Sequence, residues 1–358
     1  LNTSLQQPKK GRQSSHAPVV APLQKDVWRS RLGSDRKDTL EGEGYRADLP
    51  SRCGARYRHS TGGGVTIGAV HRLLVTTDLH QHPAKWTSLV KAAAEERPES
   101  ILIAGDILPK DGGFAGQRQF FPRLRSILTA LRDQTGASVM LYLANDDGHF
   151  LEPQVDALAA VGLCVNMNQR VCREGGLVFC GMNKVRDYPF GYKHYCVPDG
   201  DWVADPVQYC GEGITFNERG EEQAIPELRR YLLAKSSILD CLDELKAQLQ
   251  PGEMGRSVWM VHQPPASLGM DLCGNGQQVG SPALLHFIQE NQPLLGCSGH
   301  IHESPHQPGG RWVARIGKTT WVQPGQVYDR LHYVTLDITA EYAVANLRHS
   351  VFGVSAAG

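Results

Sequence analysis

Five short polar motifs run in order down the chain, and each closes an apolar, strand-like run. They are Asp78-Leu79-His80, Gly105-Asp106, Asn145-Asp146-Asp147, His262 and Gly299-His300-Ile301-His302. The runs at 72–77, 101–104, 138–143, 177–180, 257–261 and 294–298 read as buried strands. Between them, helices are predicted near 84–96, 118–133, 153–160 and 281–291, the last opened by Ser281-Pro282 as N-cap and first helical residue. Strands alternating with helices imply a largely parallel sheet covered by helices on its faces. Loops at the carboxyl edge of such a sheet converge, so the five motifs are expected to meet there.

The remaining stretches depart from that rhythm. Residues 1–65 hold 12 Lys/Arg against 6 Asp/Glu, a net +6, with no sustained apolar period. They are expected to form a basic, disordered tail ending at Gly62-Gly63-Gly64. A main domain is then expected over 66–350, with an insertion at about 183–256. The insertion begins rich in Tyr, Gly and charge, and 187–202 is expected to overhang the site as a specificity loop. It continues as one long predicted helix over 226–249, its leucine stripe packing into the core. Strands near 319–322, 332–336 and 342–347 lack helical spacers, which suggests a terminal antiparallel set forming the second sheet of a sandwich.

Composition narrows the class. The 358 residues are long enough for a substantial core, and a formal net charge of +0 argues against a dedicated nucleic-acid binder. No run approaches a membrane span. The N-terminus lacks the apolar core of a signal peptide, although a start at Leu1 leaves room for an upstream segment. Nine irregularly spaced cysteines without Cys-x-x-Cys read as reduced, mostly buried thiols of a cytoplasmic protein.

The motif residues carry chemistry together. Two Asp, one Asn and three or four His suit a pair of divalent cations about 3.5–4 Å apart. Mixed nitrogen and oxygen ligation favours manganese, with iron or zinc as alternatives, over calcium or magnesium. Taken singly, each piece has an ordinary reading: Asp78 as a helix cap, His80 as a loop residue, His262 as a satisfied core histidine. Gly299-His300-Ile301-His302 is the most specific piece, since glycine allows close approach and both histidines share one side of an extended segment.

In their order and composition these motifs resemble the calcineurin-like metallophosphoesterases, whose pattern is Asp-x-His, Gly-Asp, Gly-Asn-His-Asp/Glu, His and Gly-His-x-His. The resemblance spans about 70–335, and Gln323-Pro324-Gly325 resembles the Asn-Pro-Gly turn after the last motif. It implies an α/β fold (α+β by some schemes), a β-sandwich of two mixed sheets flanked by helices. It also implies Asp78, His80 and His302 on a first metal, Asn145, His262 and His300 on a second, and Asp106 bridging both. Asn145, Asp146 and His262 are the residues expected to act in catalysis, with no organic cofactor. The implied reaction is in-line hydrolysis of a phosphate ester by a metal-bridged hydroxide.

Three departures narrow the subclass. The family usually has His after the Asn ligand, binding phosphate and protonating the leaving oxygen; here it is Asp146. An ionised Asp repels a dianionic monoester more than a monoanionic diester, and acts as a general acid near pH 7 only with a raised pKa. A small phosphodiester or nucleotide is therefore the expected substrate, with a monoesterase or a non-catalytic scaffold as alternatives and nucleic acid disfavoured. His149 either replaces the missing His or sits as a surface or supporting residue. Gly105-Asp106 is followed by Ile107-Leu108-Pro109-Lys110, which lacks the phosphate-binding Arg of protein Ser/Thr phosphatases and the Tyr ligand of purple acid phosphatases. Lys110 is read as solvated, though long enough to reach a phosphate. His82, His194, His306 and His332 fit no ligand slot and read as structural. Oligomeric state leaves no readable signal.

Overall fold

The computed structural model describes residues 70–188, 190–200 and 213–354. The expected basic tail, 1–65, lies outside them, as does part of the expected specificity loop.

The chain opens with β1 (His71–Thr76), α1 (Ala84–Glu96), β2 (Ser100–Ile103), α2 (Gly113–Thr135) and β3 (Ser138–Leu141). Then follow α3 (Glu152–Ala160), β4 (Val165–Asn166), β5 (Arg170–Glu174) and β6 (Leu177–Met182). A region of short elements comes next: β7 (Val185–Arg186), β8 (Cys196–Val197), β9 (Gly213–Phe216), β10 (Glu222–Ile225), α4 (Leu228–Leu233) and α5 (Ile238–Lys246). The alternation resumes with β11 (Ser257–Val261), α6 (Pro282–Asn291) and β12 (Leu295–Cys297). It ends in β13 (Val313–Ile316), β14 (Thr319–Val322), β15 (Val334–Ile338), β16 (Val344–His349) and β17 (Gly353–Val354).

Two large mixed sheets result. One has the order β17-β16-β15-β1-β2-β3-β4 and the other β13-β14-β12-β11-β6-β5. Strands β1 to β4 run parallel, as do β6, β11, β12 and β14, with antiparallel strands at the flanks. Side chains alternate across each strand, so one set faces the other sheet and the next faces the helices. Leu73, Val75, Leu102, Met140, Phe179, Val258 and Met260 form the layer between the sheets. Leu74, Ile101, Ile103, Val139 and Leu141 pack against α1, α2 and α3. Val178, Cys180, Trp259 and Val261 pack against α5 and α6. Burial on both faces explains why these strands read as continuous apolar runs. This is the α/β sandwich of two mixed sheets with flanking helices.

Two expectations are corrected. The terminal strands do not form one antiparallel sheet of their own. β14 joins the second sheet parallel to β12, whereas β15 pairs antiparallel with β1, matching His71 to Ile338 and Val75 to Val334. The parallel run grows from β1 in one direction only, and β15 closes the edge it leaves. Nor is 226–249 one helix. It breaks between α4 and α5, where Lys235 Nζ donates to the carbonyls of Lys193, His194 and Cys196, each at 3.0 Å. Ser237 then caps α5: its Oγ accepts from the Asp240 N–H, and the Asp240 carboxylate accepts from the Ser237 N–H. The leucines divide accordingly, Leu242 and Leu245 entering the core beside α6 and Leu232 a small separate cluster with Val185 and Cys196. Replacing Ser237 by Ala is expected to cost about 1 kcal/mol. Urea denaturation reads this as a lower midpoint at unchanged slope, and an unchanged midpoint would show that the cap is dispensable.

All seven described cysteines are free thiols and six are buried. Among the described residues, no helix is long and apolar enough to cross a membrane.

Candidate metal centre

The carboxyl ends of β1, β2, β3, β11 and β12 bring the five motifs together. After β1 the backbone turns left-handed at Asp78, φ 51°, and Asp106 after β2 does the same, φ 52°. His300, beyond β12, sits at φ 68°. Non-glycine residues in this region carry strain, which the surroundings must hold. Here the Asp78 N–H donates to the Gly105 carbonyl at 3.0 Å and the His80 N–H to the Asp106 carbonyl at 3.1 Å. Thr77 Oγ1 donates to Asp78 Oδ2 at 2.9 Å, and the His300 N–H to Asp78 Oδ1 at 3.3 Å.

Gly105 is required by close approach as well as by its φ of 93°. A Cβ there would stand 2.6 Å from His262 Nδ1 and 2.7 Å from Ala144 Cβ. His262 is fully buried, and its Nδ1 sits 2.7 Å from the Ala104 carbonyl, to which it donates. That bond turns Nε2 towards the centre, 3.2 Å from Asp106 Oδ2 and 3.0 Å from Asn145 Oδ1. A backbone acceptor behind a histidine is the arrangement that orients metal-ligating imidazoles.

Two donor groups emerge, Asp78–His80–Asp106 and Asp106–His262–His300, and within each the donor atoms lie within 4.8 Å of one another. Asp106 belongs to both. Asn145 adds its side-chain oxygen beside His262. His302 stands next to His80, with ring centroids 5.9 Å apart, but its Nδ1 lies 3.5 Å from Glu303 Oε2 and its ring is in neither group.

The electrostatics of the cluster are dominated by its carboxylates and imidazoles. Burial disfavours a charged His262, yet the Asp106 carboxylate beside it prevails and lifts its pKa to about 9. Burial likewise works against Asp106 ionising, and the charge of His262 outweighs it, holding that carboxyl low. His300 is pushed down to about 3, chiefly by burial. Both ring nitrogens of buried His80 lack an aligned hydrogen-bond partner. A buried imidazole that makes no aligned hydrogen bond, set among carboxylates on strained backbone, belongs to a donor set suited to a divalent cation.

Asp146 occupies the rim. Its Oδ2 lies 2.6 Å from Lys110 Nζ and 3.0 Å from His80 Nε2, and its N–H donates to Asp106 Oδ1 at 2.9 Å. Burial acts to raise its pKa, but the contacts with His80 and Lys110 prevail and hold it below the usual carboxylate range. Lys110 is therefore an ion-paired residue of the site, half exposed, and not a freely solvated lysine. His149 does not take the place of the absent His. Its ring packs 5.1 Å from His194 and 6.2 Å from Phe216, in an aromatic layer with Phe114 and Tyr192. The other histidines read as structural pair with neighbours: His194 with the Asp147 carbonyl, His82 with Tyr328, and His306 with His332.

Asp147 received no role from the sequence. It is fully buried, and its two oxygens accept the N–H groups of Ile107, Leu108 and Ala144 at 2.8–3.0 Å. It ties the loop after β2 to the loop after β3, the loops that carry Asp106 and Asn145. From the insertion, the Phe190 ring meets His300 edge-on at 5.6 Å, and Tyr188 donates through its hydroxyl to Gln277.

Several solved structures are similar to this chain. TT1561 of Thermus thermophilus is 14% identical with a TM-score of 0.48, covering 78% of this chain and 98% of its own. A dimetal phosphatase from Danio rerio is 13% identical with a TM-score of 0.47, covering 79% and 96%. The calcineurin-like phosphoesterase YfkN from Bacillus subtilis is 14% identical with a TM-score of 0.38, covering 80% and 93%. No curated protein matches. The family model of the calcineurin-like phosphoesterases matches residues 71–304, well over half of the sequence, and the chain belongs to that family.

Proposed function

We propose that the chain is a dinuclear-metal hydrolase of small phosphate esters. One observation carries this reading: two donor groups, buried except for the half-buried His300, share the single carboxylate of Asp106. Asp78, His80 and His302 would hold one cation, Asn145, His262 and His300 the other, with Asp106 between them. Manganese suits these mixed donors, with iron or zinc as alternatives. When bound, two such cations supply an activated water and neutralise charge on the phosphoryl oxygens. The protein's part is to fix the donors. The Ala104 carbonyl sets the tautomer of His262, Asp147 locks the Asp106 and Asn145 loops, and Asp78 is held by Thr77 and the His300 N–H. With its pKa raised to about 9 beside Asp106, His262 would have to give up its Nε2 proton to act as a ligand, so metal uptake would release protons.

For the substrate, the carboxylate of Asp146 at the rim supports a phosphodiester or nucleotide-type small molecule. A phosphomonoesterase is the second reading, and the Lys110–Asp146 pair favours it, because the ammonium offsets the charge that would repel a dianion. A scaffold without catalysis would purify without stoichiometric metal. Free thiols at all seven described cysteines support a cytoplasmic setting.

Turnover of bis(p-nitrophenyl) phosphate against p-nitrophenyl phosphate, with Mn²⁺ and a chelator control, tests these readings. Metal-dependent hydrolysis favouring the diester is the expected result. Preference for the monoester would transfer the substrate assignment to the second reading. Inactivity of metal-replete protein on both would overturn the proposal for simple esters.

A further inference from the structure

We propose that Asp146 is itself a ligand of the cation held by Asp78 and His80, a carboxylate donor at the position where the family pattern has a histidine facing the substrate. This rests on the two-cation reading above and adds to it. His80 is 1% exposed, and neither of its ring nitrogens makes an aligned hydrogen bond. Asp146 Oδ2 is nevertheless 3.0 Å from His80 Nε2. A hydrogen bond of that length would lie along the direction in which the nitrogen donates or accepts. The oxygen stands off that line, so the contact is close without being a hydrogen bond. Two neighbouring ligands on an octahedral cation, each about 2.1 Å from the metal, stand roughly 3.0 Å apart with each off the other's donor axis. The His80–Asp146 contact has that length and makes no aligned hydrogen bond.

The backbone supports the assignment. The Asp146 N–H is bonded to Asp106 Oδ1, which anchors the residue on the proposed bridging carboxylate. The Asp146 carbonyl accepts from Gln117 Nε2 at 2.7 Å, and Gln117 Oε1 accepts the Gly148 N–H at 2.9 Å, fixing the turn from its other side. Lys110 Nζ, 2.6 Å from the same Oδ2, balances the charge. A salt bridge to Lys110 alone would explain the rim position of Asp146 but not why its Oδ2 also stands 3.0 Å from His80 Nε2 without an aligned hydrogen bond. With Asp146 included, the first cation has three carboxylates, an oxygen-rich set that shifts preference from zinc towards manganese.

The test is equilibrium Mn²⁺ binding to the chelator-stripped full chain, following free Mn²⁺ by electron paramagnetic resonance. Wild type is expected to bind two ions. Asp146→Asn should weaken one of them by at least the roughly 10–100-fold that loss of a residue behind a ligand costs, leaving the other nearly unchanged. Asp146→Glu, which keeps a carboxylate, should recover much of the loss. Two ions bound by Asp146→Asn as tightly as by wild type would overturn this assignment alone. Weakening of both ions, with a lower melting temperature of the stripped variant, would make Asp146 structural and overturn it as well. Fewer than two ions on wild type would instead overturn the two-cation reading beneath it.

Discussion

Asp106→Asn is expected to abolish metal retention and hydrolysis together. Asp106 is 1% exposed and is the only residue common to both donor groups among the described residues. The substitution is nearly isosteric, so the loops after β2 and β3 keep their packing through Asp147. What changes is the charge. An amide in place of the carboxylate removes the negative group that lies 3.2 Å from His262 Nε2 and 3.8 Å from His80 Nε2. Its NH₂ face also offers a donor where a cation requires an acceptor. Metal contributions to phosphoryl transfer amount to several kcal/mol of transition-state stabilisation, so loss of the proposed bridge predicts a fall in kcat/KM on the order of 10³-fold or more. Metal analysis after gel filtration should show less than one ion per chain. A variant that retains two ions and wild-type turnover would remove the bridging role, and with it the dinuclear mechanism.

The parts of this site that were legible in the sequence are those encoded locally. A residue that follows a buried strand is delivered to the carboxyl edge by the strand itself. Asp78, Asp106, Asn145, His262 and His300 could therefore be placed together from their positions after β1, β2, β3, β11 and β12. A continuous apolar run likewise shows that a strand has two buried faces, but it does not say which strand lies beside it. The pairing of β1 with β15 joins His71 to Ile338 across most of the chain, and nothing local marks it. The break between α4 and α5 was, by contrast, written in the sequence. Ser237-x-x-Asp240 is a capping signature, but a regular leucine spacing outweighed it.

Side-chain partnerships at the rim were the least accessible. Lys110 and Asp146 are 36 positions apart (146 − 110), and their contact depends on how the strained turn at Asp106 redirects the loop carrying Lys110. The reading of a solvated lysine failed for that reason. Asp147 gave no signal of its role because its partners are backbone N–H groups, which carry no sequence identity. The two readings of His149 were separated only by its aromatic surroundings, His194 and Phe216, which come from the insertion.

Gly299→Ala should also damage the centre, although it removes no donor. A Cβ at this position would stand 1.9 Å from Thr77 Oγ1 and 2.7 Å from Asp78 Oδ2. Neither neighbour can swing aside cheaply. Thr77 Oγ1 is held between the Ala104 carbonyl at 3.0 Å and Asp78 Oδ2 at 2.9 Å, while the Gly299 N–H is tied to the His262 carbonyl at 3.0 Å. The methyl group must therefore push the end of β12 away from the end of β1, separating His300 from Asp78. Forcing extra volume into such packing costs about 1–3 kcal/mol of stability. A misplacement of about 1 Å among reacting groups costs about 10²-fold in rate. Gly274→Ala is the control: its Cβ meets nothing within 4 Å, so stability should stay within about 0.5 kcal/mol of wild type. Urea midpoints and kcat measured on the two variants separate the cases. If Gly299→Ala folds and turns over like the control, then the close approach of β12 to Asp78 does not set the geometry of the centre, and the donors are positioned by their loops alone.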